Sequence, residues 1–204
     1  MENVFYINLE HRIDRKEFTE NQLNALGWKY ERFNAISHKN GLIGCCMSHI
    51  NIIENAIKNK LDYCVILEDD VLFTDIENCN SHFKNILEME FDVFLLAGNV
   101  HKSSKKQVVD SNENIFKITN VQTTTAYIVK SSYYERLLSN FIEGYKNLLK
   151  KPKSHRKYAL DMYWKRLQKD DRWLIKLPLK ITQKASYSDI QKCNVDYESE
   201  CLTI

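Results

Sequence analysis

The chain has 204 residues, 29 basic and 27 acidic, for a formal charge of +2. That length accommodates one domain with a substantial core. The near balance of charge excludes a global field that would draw nucleic acid without regard to sequence, so any anionic ligand has to be held by a local group.

"MENVFYINLEHR" opens the sequence with charges among apolar residues. It contains no run of signal-peptide type, and no later window approaches the length of a membrane span. The expectation is a soluble, cytoplasmic protein with no integral membrane segment. Six cysteines (Cys45, Cys46, Cys64, Cys79, Cys193 and Cys201) include no C-x-x-C pair, which points to buried reduced thiols rather than a zinc site or a disulfide framework.

"NVFYINL" reads as a buried strand, and "EHRIDRKEFTENQLNALG" as a helix stopped by Gly27. "KYERFNAI" starts a second unit, followed by a helix from about Cys45 to Asn59 with Met47, Ile50, Ile53 and Ile57 on one face. "YCVILE" and "DVFLLAG" are apolar without alternation, the pattern of strands covered on both faces. Between them "NSHFKNILEME" is helix-like. "HKSSKKQVVDSNEN" reads as a mobile loop, with "IFKIT" and "TTAYIVK" as a hairpin beyond it. A capping box from Ser132 to Glu135 opens a helix reaching about Pro152. A short helix at "LDMYWKRL", a strand at "RWLIKL" and "KITQKASYSDIQ" complete the chain. Alternating elements of this kind predict one α/β domain over residues 1–204, helices on both sides of a mostly parallel sheet.

"CVILEDDVLF" places Glu68, Asp69 and Asp70 where a buried strand of an open sheet delivers side chains to the ligand crevice. Adjacent carboxylates repel, so they need a cation, N–H donors or open water. In extended backbone Glu68 and Asp70 share a face and can share a hard divalent cation. Asp69 then points the other way, toward an N–H or Arg partner. The alternative is a solvated acidic turn.

Several segments together carry a resemblance: "VFYINLEHRIDR", "IGCCMSHINIIENA", "CVILEDDVLF", "TTTAYIVKSSYYERLL" and "ASYSDIQ". Their order and approximate spacing, across residues 3 to 191, resemble glycosyltransferase family 25, the lipooligosaccharide and collagen galactosyltransferase family. The resemblance implies a GT-A type, Rossmann-like nucleotide-sugar-binding sandwich. It also implies a UDP-sugar donor, Mn2+ or Mg2+, and inverting transfer of a hexose (galactose or glucose). The acceptor hydroxyl would belong to a glycan, a lipid-linked sugar or a hydroxylysine of a collagen-like chain, as in lipopolysaccharide biosynthesis or collagen glycosylation.

Within that frame Glu68 and Asp70 are the candidate metal ligands. Asn8, Arg12 and Arg15 follow the first strand, where nucleotide contacts fall, and an Arg fork suits phosphate; an ordinary charged loop is the competing reading. Ser48 and His49 match the family's Ser-His pair, with a donor-site role set against a structural one. Asp69 and Thr124 complete the donor candidates, and Tyr127 offers an aromatic face for a sugar. Single-displacement transfer needs a base from another element. Asp161 is the first candidate and Asp189 the second, for base or for a late metal or donor contact. The last histidine is His155, so a late histidine ligand is missing from the final strands. A non-catalytic nucleotide-sugar-binding scaffold and a metal-dependent phosphodiesterase or nuclease are the rival functions.

Overall fold

The computed structural model describes residues 1–100, 106–188 and 192–195. In chain order the elements are β1 (Val4–Asn8), α1 (Ile13–Leu26), β2 (Tyr30–Asn34), α2 (Gly41–Lys58), β3 (Tyr63–Glu68), β4 (Val71–Phe73) and α3 (Ile76–His82). A 3-10 turn (Ile86–Glu88) precedes β5 (Val93–Leu95), β6 (Asn99–Val100), β7 (Gln107–Asp110), β8 (Ile115–Lys117), β9 (Val121–Gln122) and β10 (Ala126–Lys130). Then come α4 (Tyr134–Lys150), α5 (His155–Tyr158), α6 (Leu160–Tyr163), α7 (Lys165–Asp170), β11 (Trp173–Lys176), β12 (Ile181–Gln183), β13 (Ser186–Ser188) and β14 (Cys193–Val195).

Eight strands form the central sheet in the order β2-β1-β3-β10-β5-β11-β8-β7. Pairing is parallel for β1 with β2 and β3 and for β5 with β11, so only β10 and β8 run against the other six. The sheet is mostly parallel, as the apolar runs predict. Successive residues of β3 feed opposite cores: Cys64 and Ile66 join one apolar cluster, Val65 and Leu67 the other. β5, β10 and β11 divide in the same way, which is why these strands show no polar alternation. One cluster packs α2 and α4 against the sheet, and the other packs α1 and α3 on the opposite face.

The edge that gathers the acids follows from this topology. β1 and β3 end side by side at Asn8 and Glu68. The antiparallel β10 begins where β3 ends, and the Glu68 N–H donates to Thr125 O at 2.9 Å, which sets Thr123 to Thr125 beside the acids. β12 pairs with β4, Gln183 opposite Val71, and returns the far end of the chain to the same edge.

Several boundaries differ from the sequence reading. α2 starts at Gly41, because the Asn40 side chain caps Leu42 N–H. The box at Ser132 does not form; a 3-10 turn over Ser131–Tyr133 leads into α4 without a side-chain cap. β8 and β10 are not a hairpin, since β8 pairs with β7 and β11, and β10 inserts between β3 and β5. Part of the expected loop is β7, and residues 101–105 of it lie outside the described residues. Among the described residues no helix is long and apolar enough to cross a membrane, and the five described cysteines are free.

Candidate active site

The three acids do not keep strand alternation past Glu68. β3 stops there, Asp69 and Asp70 form a turn, and β4 follows. Glu68 therefore faces α2, while Asp69 and Asp70 both turn toward α1. Arg15 Nη1 lies 2.8 Å from Asp69 Oδ1 and 3.4 Å from Asp70 Oδ2. The extended-chain expectation that Asp69 alone would point away fails because the turn re-aims both aspartates. Asp69 does hold an Arg and an N–H donor: Asn8 Nδ2 donates to its Oδ2 at 2.7 Å. Asn8 is itself pinned by Arg32 Nε at 2.9 Å.

Glu68 Oε1 accepts from Thr124 Oγ1 at 2.5 Å and lies 3.3 Å from His49 Nε2 and 3.9 Å from Cys45 Sγ. Burial alone would raise its pKa; the His49 and Thr124 hydrogen bonds outweigh that and lower it. Asp70 has no such surplus of donors. Burial, then the nearby Glu68 charge, push its pKa up to about 7, against the Arg15 charge and a 2.8 Å hydrogen bond from Gln183. Its Oδ1 is buried with no hydrogen-bond partner, so Asp70 ends with one lone carboxylate oxygen and incomplete neutralisation. Asp69 is also raised, chiefly by burial.

These groups open on a cleft of about 520 Å³ whose wall includes Arg15, His38, Lys39, Asn40 and Lys192 along with the three acids. A smaller chamber of about 200 Å³ adjoins it, sharing Cys45, Glu68, Gln183 and Ser188. Asp161 lines this chamber from the start of α6, together with Gln122, Thr123 and Thr124. Burial raises the Asp161 pKa, opposed by the Thr123 N–H, which donates to Oδ2 at 3.2 Å. Thr123 has φ +77°, costly for a β-branched residue, and the Asp161 bond holds it there.

The remaining predicted residues are placed as follows. Arg12 pairs with Asp14, which it holds down to about 2, and donates to Tyr187 O at 3.3 Å. Ser48 uses its hydroxyl within the fold, donating to Gly44 O and accepting from Ile36 N–H at 2.9 Å each. His49 is fully buried, with Nδ1 2.8 Å from the Tyr127 hydroxyl. With Nε2–H donating to Glu68, Nδ1 accepts from that hydroxyl. Tyr127 is itself fully buried, stacked at 17° on His49; a strand between β3 and β5 has no exposed ring face to offer a sugar. Asp189 lies outside the described residues.

Sequence reasoning missed Gln183 and Ser186, whose side chains complete the shell of Asp70 and Arg15. Nothing local marks them; they arrive through the β4–β12 pairing. It also missed Cys45, whose signal was its place one helical turn before His49.

Residues 40–150 match the family model described as glycosyltransferase family 25 (LPS biosynthesis protein). A Drosophila melanogaster protein described as a glycosyltransferase 25 family member is 23% identical over 172 residues, covering 68% of this chain and 28% of that protein. A Drosophila pseudoobscura pseudoobscura protein of the same description is 27% identical over 109 residues, covering 40% of this chain and 17% of its own. The chain thus spans less than a third of the length of these relatives. Similar solved structures include a glycosyltransferase involved in glycosylation of the major capsid of PBCV-1, with TM-score 0.47, 10% identity and coverage of 87% of this chain and 92% of that one. Mannose-1-phosphate geranyltransferase from Thermus thermophilus gives TM-score 0.49 and 10% identity over 90% of this chain and 74% of its own. With more than half of its length matched by the family model, and that match containing the Ser-His helix and the acid-tipped strand, the chain belongs to glycosyltransferase family 25.

Proposed function

We propose that this chain is a GT-A type, metal-dependent, inverting glycosyltransferase domain that moves a hexose from a UDP-sugar to an acceptor hydroxyl. The observation that carries the reading is the junction at Glu68. One side is a cleft large enough for a nucleotide sugar, lined by Arg15, Lys39 and Lys192. The other is a chamber with the buried carboxylate of Asp161. Donor and acceptor thereby meet at one point with a base on the acceptor side.

The residues fit a hard divalent cation. Asp70 Oδ1 lacks a partner, its carboxyl carries a raised pKa, and Glu68 lines the same cleft; oxygen donors of this kind suit Mn2+ or Mg2+. Glu68 and Asp70 would hold it, and when bound it supplies positive charge to the departing diphosphate. Arg15 holds Asp69 and Asp70 in place and presents a guanidinium to the same cleft. Asp161 accepts the acceptor proton; its raised pKa makes it a stronger base than an ordinary aspartate. The Thr123 N–H fixes one carboxylate oxygen and leaves the other for the incoming hydroxyl. The acceptor is a glycan, lipid-linked sugar or collagen-type hydroxylysine, each offering a hydroxyl to the chamber.

The test is a thermal-shift screen of the purified protein against UDP-, GDP-, CMP- and TDP-sugars, with and without manganese. A UDP-sugar should raise the melting temperature only when manganese is present. Stabilisation by none of the four overturns the donor reading.

A further inference from the structure

We infer that Cys45, His49 and Glu68 form a second cation site, of the soft, zinc-binding kind, at the junction of the cleft and the chamber. The sequence argued against zinc because no C-x-x-C pair is present. The structure assembles the ligands differently: Cys45 and His49 stand four residues apart on one face of α2, and Glu68 meets them from the end of β3.

The three ligand atoms lie within 4.8 Å of one another, and among the described residues this is the one grouping of three such ligands that converges. Zinc bonds of about 2.0 to 2.3 Å in tetrahedral geometry place ligand atoms about 3.3 Å apart for N and O and about 3.5 Å for S and O. The observed separations are 3.3 Å for His49 Nε2 to Glu68 Oε1 and 3.9 Å for Cys45 Sγ to the same oxygen. These two edges need at most a few tenths of an ångström, and the Sγ to Nε2 edge, which lies within 4.8 Å, closes to about 3.6 Å in a tetrahedral site. The far nitrogen of His49 lies 2.8 Å from the Tyr127 hydroxyl, so once Nε2 is metal-bound and the proton sits on Nδ1, that hydroxyl can turn to accept it, the partner metal-bound histidines generally have. Tyr127 also stacks on the ring, so His49 is oriented before any cation arrives. Three protein ligands beside an open cleft leave a fourth position for water or a ligand oxygen.

When the ion binds, the Cys45 S–H bond breaks and its proton passes to solvent, while His49 loses the Nε2 proton and takes one up on Nδ1, so that sulfur–metal and Nε2–metal bonds form with a net release of one proton. Glu68 is also a carboxylate proposed for the donor's cation, so loading this site would reach the transferase centre through one shared side chain. The binding itself does not depend on the transferase reading.

Cobalt(II) titration of the metal-free protein, without nucleotide, tests it. The background is Cys193→Ser with Cys201→Ser, to remove the exposed Cys193 thiol and the terminal one. The expected result is one equivalent bound, with tetrahedral visible bands and an ultraviolet cobalt–thiolate band. Adding Cys45→Ser abolishes the thiolate band, and adding Cys46→Ser, a change in the neighbouring core thiol, preserves it. X-ray absorption of the zinc-loaded parent gives a readout independent of how the variants fold, and should show a single sulfur in the shell. An oxygen-only octahedral spectrum, or a thiolate band that survives Cys45→Ser, overturns the inference. A manganese-dependent UDP-sugar shift, measured separately on zinc-free protein, reports on the transferase reading alone.

Discussion

At the residue scale, Asp161 separates two roles that a buried carboxylate can play. If it only caps α6 and steadies Thr123, replacing it by Asn keeps the acceptor oxygen and changes little. If it removes the acceptor proton, Asp161→Asn cuts kcat by about 10² to 10⁴ while the manganese-dependent donor shift persists. The pH profile adds an independent reading. The carboxyl must be ionised to act and its pKa is raised, mainly by burial, so the acid limb of kcat/KM lies above the range of an ordinary aspartate. A rate that stays flat down to pH 4, or transfer that survives Asp161→Asn, removes Asp161 from the mechanism. The sequence supplied this residue through its place on a short downstream helix, but not its partner. Thr123 is 38 positions away, and its backbone N–H carries no sequence signal.

Elements show where local pattern suffices and where pairing takes over. β3 and β5 could be read from their apolar runs, because burial on both faces leaves no polar residue to hide. β10 could be recognised as a strand, but not as an antiparallel insertion between β3 and β5. That placement brings Thr124 to Glu68, and register across a sheet is set by contacts far apart in sequence. The start of α2 shows the same division. A Cβ on Gly44 would come 2.4 Å from Ile36 O, a backbone atom that cannot swing aside. The glycine is thus the reason the helix lies close enough to the β2–α2 loop for Ser48 to bind Ile36 N–H. Gly44→Ala should cost about 1 to 3 kcal/mol by overpacking, and should weaken donor binding as well, since Ile36 and His38 line the cleft. Urea unfolding with a donor titration checks both. A neutral result on stability would mean that the loop yields freely.

The whole molecule holds its acids at a cost that depends on pH. Asp14 and Glu68 have lowered pKa values, so their contribution is present at neutral pH and is lost on acidification. Asp70 works in the opposite direction. Its pKa rises from 3.8 to about 7, first through burial and then through Glu68. Below pH 3.8 it is neutral in both folded and unfolded chains, and its contribution is fully present. Between there and pH 7 the unfolded chain ionises freely while the folded chain retains the proton, so stability falls. By about pH 8 the folded protein carries the buried charge, at a cost of at most roughly 4 kcal/mol. Asp70→Asn keeps the size and an acceptor oxygen but removes the ionisation. The variant should therefore gain on the parent as pH rises, with the Tm difference widening by several degrees from about pH 5 to pH 8, at about 2 to 4 °C per kcal/mol. Manganese at about pH 8 should recover part of that difference in the parent and nothing in the variant, because only the parent offers an ionised Asp70. A difference that is constant with pH would mean Asp70 ionises as an ordinary aspartate; recovery by manganese in both proteins would place the cation away from Asp70. The buried negative charge that weakens the fold as pH rises is the charge that a divalent cation at Asp70 would neutralise.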